Sequence, residues 1–91
     1  MSVTVRIPSQ LRPMTGGLSE VSVEQGTVRE VLSNLELAHG GIEARLMDEQ
    51  GSLRRHVNLF LADQDVRFLD GLDTPVPDGF TLSIVPAVAG G

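Results

Sequence analysis

Residues 27–38 constrain the fold more than any other part of the chain. Thr27-Val28-Arg29-Glu30 has the form of a capping box: the threonine hydroxyl can accept from the Glu30 amide while the glutamate reaches back to the start of the helix. Val28, Val31, Leu32, Leu35 and Ala38 follow at helical spacing and make one apolar stripe. Gly40-Gly41 then permits a left-handed stop. Ile42 and Leu46 give at most one further helical turn. A single stripe of this kind is stable only when another layer covers it, and the rest of the chain offers strands.

On either side of the helix the period changes to two. Val3, Val5 and Ile7 alternate with Ser2, Thr4 and Arg6, which reads as a half-buried strand stopped at Pro8. Ser9 to Gly17 reads as a loop, broken by Pro13 and Gly16-Gly17. Leu18, Val21 and Val23 give a second strand, the hairpin partner of the first. Beyond the helix, Asp48 to Ser52 is polar and loop-like, and Val57, Leu59 and Leu61 form a third strand with Asn58 and Phe60 on its other face. Asp63-Gln64-Asp65 reads as a turn and Val66-Arg67-Phe68 as a short edge strand. Pro77-Asp78-Gly79 is a strong turn signal, after which Phe80, Leu82 and Ile84 alternate with Thr81, Ser83 and Val85. This order predicts an α+β roll of the β-grasp type: a mixed sheet packed on one main helix, with the first and last strands parallel at the sheet centre. Residues 1–85 are expected to form this domain and 86–91 a flexible C-terminal tail. Phe68 and Phe80 are expected in the core.

Composition removes several classes of function. The 91 residues contain no cysteine, which excludes disulfides, thiolate metal sites, cysteine nucleophiles and sulfur held as a cysteine persulfide. All seven basic residues are arginine. Without lysine there is no Walker A loop and no side-chain isopeptide self-linkage. A net charge of -5 with no basic stripe argues against nucleic acid, and Arg54-Arg55 reads as a solvated turn. No run approaches a membrane span and the first residues lack a signal-peptide core, so a cytoplasmic protein is expected.

The titratable residues do not assemble a catalytic motif. His39 lies where it can cap the helix end, and His56 reads as a strand-edge residue. Asp63, Asp65, Asp70 and Asp73 fit turn chemistry better than a metal loop, and their spacing misses the EF-hand pattern. No metal site is expected.

The chain closes on Pro86-Ala87-Val88-Ala89-Gly90-Gly91. Pro86 cannot donate to a sheet ladder and is expected to end strand pairing. Gly90 and Gly91 have no Cβ, so this end can enter a slot too narrow for other residues, with Ala89 and Val88 behind it in a partner's groove. A docking patch is expected near the tail root: Phe60 and Val85 on the outward sheet face, completed by Leu11 or Met14 from the loop after strand one.

Hairpin, helix, Leu59–Ala62, Gln64-Asp65-Val66-Arg67, the Pro77-Asp78-Gly79 turn and the diglycine end together resemble the ubiquitin-like sulfur carriers of the MoaD/ThiS type. These are the small proteins of molybdopterin, thiamin and cysteine biosynthesis. Leu11-Arg12-Pro13-Met14-Thr15-Gly16-Gly17, Arg45-Leu46-Met47-Asp48 and Asp65-Val66-Arg67-Phe68 most resemble the actinobacterial branch that serves cysteine biosynthesis. The resemblance implies a ubiquitin-like β-grasp fold and a protein co-substrate rather than an enzyme. An adenylating, sulfurtransferase partner of the ubiquitin-activating class would consume ATP to activate the Gly91 carboxylate, and sulfur would then replace AMP to give a thiocarboxylate. The carrier itself would bind no cofactor. Its sulfur would go to an acceptor enzyme, a pyridoxal-phosphate (PLP) cysteine synthase or a thiosugar synthase, with a zinc metalloprotease releasing the product; a pterin or thiazole pathway is also open. Two alternatives remain: a protein modifier conjugated through Gly91, and the small subunit of a molybdopterin synthase.

Overall fold

A computed structural model describes residues 2–86. Its strands are β1 (Ser2–Arg6), β2 (Glu20–Glu24), β3 (Gly26–Thr27), β4 (Val57–Leu61), β5 (Gln64–Asp65), β6 (Pro75–Val76) and β7 (Thr81–Pro86). The main helix α1 (Val28–Ala38) precedes a single turn, α2 (Glu43–Leu46). The main sheet has the order β2-β1-β7-β4-β5. β1 and β7 run parallel, and the other neighbours are antiparallel. This is the mixed β-grasp sheet that the strand order predicts, with the first and last strands side by side.

The helix begins where the sequence places it. The Glu30 amide donates to Thr27 Oγ1 at 3.2 Å, and the Thr27 amide donates to Glu30 Oε1 at 2.9 Å. A Cβ on Gly26 would lie 2.7 Å from that Glu30 oxygen, so the glycine makes room for the returning glutamate. At the other end the helix closes with the His39 amide on the Leu35 carbonyl, so His39 caps through its backbone. Gly41, not Gly40, supplies the left-handed residue, at φ 97°. The Glu36 carboxylate reaches forward to accept from the Gly41 amide at 2.8 Å and the Glu43 amide at 2.9 Å. It thereby fixes α2 to α1.

The inner sheet face and the helix stripe enclose an aliphatic core. Val28, Val31, Leu32 and Leu35 meet Val3, Val5, Leu59, Leu82 and Ile84, with Ile42 and Leu46 closing one end. None of the three phenylalanines is among the buried core residues.

Four expectations need correction. Ser9–Thr15 is a 3-10 helix, not an irregular loop; Pro13 fits inside it because short 3-10 segments ask little of the proline nitrogen. The edge strand is Gln64–Asp65, and Val66–Phe68 is a 3-10 turn whose amide at Arg67 donates to Asp65 Oδ1 at 2.8 Å. Tight-turn spacing buries Val66 and sends Phe68 outward, 87% exposed, where strand alternation would have buried both. Phe80 closes the Pro77 turn through its amide, one residue outside β7, and is 44% exposed. Two elements had no sequence signal: the small ribbon of β3 with β6, and a 3-10 turn at Gly71–Asp73.

Candidate docking face and tail root

β7 leads toward the C-terminus, and two surfaces flank its last described residues. The first is the outward sheet face. Register places Glu20, Arg6, Ser83, Phe60 and Asp65 in one row across the five strands, all on the side away from the helix. One rung further along, Val85 lies opposite Asn58 and is 43% exposed. Phe60 is half-buried because Phe68, Leu69 and the β5 residues rise beside it, making a groove of about 450 Å³. Arg67 pins this edge down: its guanidinium donates to Asn58 Oδ1 at 2.7 Å and to the Arg54 carbonyl at 2.9 Å.

The second surface is the tail root. Pro86 still pairs in register with Val57, so β7 reaches one residue past the position where the sequence placed its end. Beside it lies a cleft of about 230 Å³ lined by Leu11, Arg45, Leu46, His56 and Pro86. The Ser9–Thr15 segment, α2 and the lead into β4 meet here. No sequence spacing announces that its polar members Gln10, Arg45 and His56 meet, because only the fold brings these residues and Pro86 together.

The four expected docking residues therefore do not form one patch. Phe60 and Val85 share the outward face. Leu11 lies at the tail root on the side of buried Ile84, and Met14 packs against Gly41, where a Cβ would come within 2.9 Å of its methyl carbon. Both pack against the core rather than beside Phe60. Phe68, expected inside, takes the place they were assigned. The expected tail residues Val88, Ala89, Gly90 and Gly91 lie outside the described residues.

Electrostatics here are those of a solvated body. Glu36 is held below the ordinary carboxylate range, first by the Gly41 amide and then by the Glu43 amide, both of which favour its charged form. Among the described residues, no three histidines or carboxylates gather as a metal-holding group, and no helix is long and apolar enough to cross a membrane.

A β-grasp sheet wrapped on one helix, with its last strand running out between a sheet-face groove and a small cleft, defines a ubiquitin-like protein. The chain belongs to the ThiS family, whose model matches residues 5–91. It is 50% identical over 93 residues to the sulfur carrier protein CysO of Mycobacterium tuberculosis, covering all of both chains. The crystal structure of that CysO superposes with a TM-score of 0.90 over 94% of this chain and 99% of the other. A chain in the Amycolatopsis orientalis BexX/CysO complex gives a TM-score of 0.92 at 49% identity, over 98% and 99%. The small archaeal modifier protein 3 of Haloferax volcanii is 40% identical over 68 residues, 75% of this chain and 73% of that protein.

Proposed function

We propose that this protein is a sulfur carrier whose Gly91 carboxylate is adenylated and then converted to a thiocarboxylate, with cysteine biosynthesis as the favoured destination. The observation that carries this reading is the full-length, 50% identity to a sulfur carrier protein. The family match that continues to residue 91 adds to it.

The chemistry follows from the carboxylate. Its ordinary pKa of about 3.5 leaves it anionic at neutral pH, a poor electrophile with no leaving group. Attack of a carboxylate oxygen on the α-phosphate of ATP releases pyrophosphate and makes an acyl-adenylate. Hydrosulfide then adds to the acyl carbon, AMP departs, and the terminal sulfur is left as an anionic nucleophile for the acceptor. Gly91 supplies the reacting carbon, Gly90 supplies a side-chain-free approach, and the folded body presents them. The Amycolatopsis complex supports a carrier that works docked on a partner. A PLP cysteine synthase as acceptor and a zinc metalloprotease for release complete the proposed sequence.

Incubation with an activating enzyme, ATP and sulfide tests the reading by intact-protein mass spectrometry. The expected result is a mass gain equal to the exchange of one oxygen for sulfur, located in the C-terminal peptide. ATP-dependent adenylation followed by no such gain would overturn it. The similarity to an archaeal modifier favours a second reading, conjugation through Gly91. Its mark is an amide between Gly91 and a lysine of another protein in place of a free thiocarboxylate.

A further inference from the structure

The arginines are distributed unevenly. Arg45 lines the tail-root cleft, and Arg55 sits beside His56, which lines it too. Arg12 donates from Nε to the Ile7 carbonyl at 3.1 Å, just past the end of β1, the parallel neighbour of β7. Arg54 donates from Nη2 to the Ala44 carbonyl at 3.0 Å, and Arg67 donates in turn to the Arg54 carbonyl. Five of the seven arginines thus ring the end of the molecule from which the tail departs.

Their pairing sets them apart as well. Arg6, at the end of β1, and Arg29, on α1, differ: each has a carboxylate within ion-pair distance, Glu20 and Asp73, both at 3.6 Å. Among the described residues none of the five at the tail root has one. Asp48 and Glu49 line a pocket with Arg54 but fall outside that distance. Arg12, Arg54 and Arg67 donate to neutral oxygens, which orient the guanidinium groups without forming an ion pair. Arg45 and Arg55 are exposed, with no side-chain hydrogen bond among the described residues. In a chain of net charge -5, five cations without an ion-pair partner among the described residues are thus gathered at one end.

We propose that this arginine collar docks on an acidic rim of the activating enzyme, at the mouth of the channel that takes the tail. The inference rests on the sulfur-carrier reading. The five residues that follow Pro86, 87–91, reach at most about 18 Å. That exceeds the screening length of about 8 Å at physiological salt, so with the tail extended the collar does not act on the nucleotide at Gly91. It addresses the protein surface where the tail enters. The collar gives a carrier of net negative charge an attractive face toward that rim, and it orients the tail before insertion. Rim charges of this kind act on encounter rate and salt dependence more than on the chemical step.

The test is ATP–pyrophosphate exchange driven by the full chain and its activating enzyme, across a salt series. Arg45→Gln with Arg55→Gln is expected to raise KM for the carrier about tenfold at low salt, leave kcat unchanged and flatten the salt dependence. Arg29→Gln removes an arginine that already has a carboxylate partner, Asp73, and is expected to leave all three near wild type. An unchanged KM in the collar variant, or an equal rise with Arg29→Gln, overturns the collar alone. If the wild-type chain supports no exchange with an enzyme that activates a related carrier, the sulfur-carrier reading fails and the collar with it. Melting curves matching wild type keep the comparison free of folding effects.

Discussion

Leu59 and Phe60 are adjacent, yet they belong to different molecules in a physical sense. Leu59 faces the helix and is fully buried in an aliphatic core. Phe60 faces the other way, into a groove shared with Phe68 and Leu69. Among the described residues the buried side chains are aliphatic, apart from two threonines whose hydroxyls are hydrogen-bonded; Phe60 lies on the outer face with Phe68 at its rim. Large apolar side chains left outside the core are the kind of surface that recognition uses. On the proposed reading, the division separates a body that supplies stability from a surface that would supply contact.

Mutations can break or sharpen that division. Leu59→Ala opens a cavity at the centre of the core and is expected to cost about 3 kcal/mol in urea unfolding, with no direct change to the outer face. Phe60→Ala, one residue away, is expected to cost about 1 kcal/mol while weakening partner binding; equal losses of stability at the two positions would erase the distinction. Thr27→Ala removes the capping hydroxyl and is expected to cost about 1 kcal/mol, read as a lower melting temperature. Phe68→Ser is expected to shift stability by no more than about 0.5 kcal/mol, because so little of the ring is buried.

The smallest effect concerns Glu36. Its carboxyl is held below its unfolded value, so its contribution is fully present above about pH 4.3 and is lost as pH falls through the lower folded value. Glu36→Gln therefore lowers stability at neutral pH, and its difference from wild type shrinks in acid. A difference that grows with acidification would contradict the amide-to-carboxylate assignment.

The inner face was the legible part. Period-two alternation placed Val3, Val5, Leu59, Leu82 and Ile84 in the core, and the capping box fixed the helix start. Phe68 and Phe80 were misplaced because aromatic character says nothing of direction: a 3-10 turn and a turn terminus broke the alternation on which burial depended. β3 and β6 escaped notice because each is two residues long and includes a glycine or a proline, both poor strand formers. The tail-root cleft and the arginine ring are built from segments far apart in sequence, so no local pattern announces them.

The central claim is that the folded body carries no sulfur chemistry and that Gly91 carries all of it. Sulfur loading of the chain lacking Gly91, measured beside its melting curve, tests this most directly. The account predicts a melting temperature equal to wild type and no sulfur-for-oxygen mass gain in the presence of activating enzyme, ATP and sulfide. A truncated chain that still gains sulfur, or one that loses its fold, would contradict it.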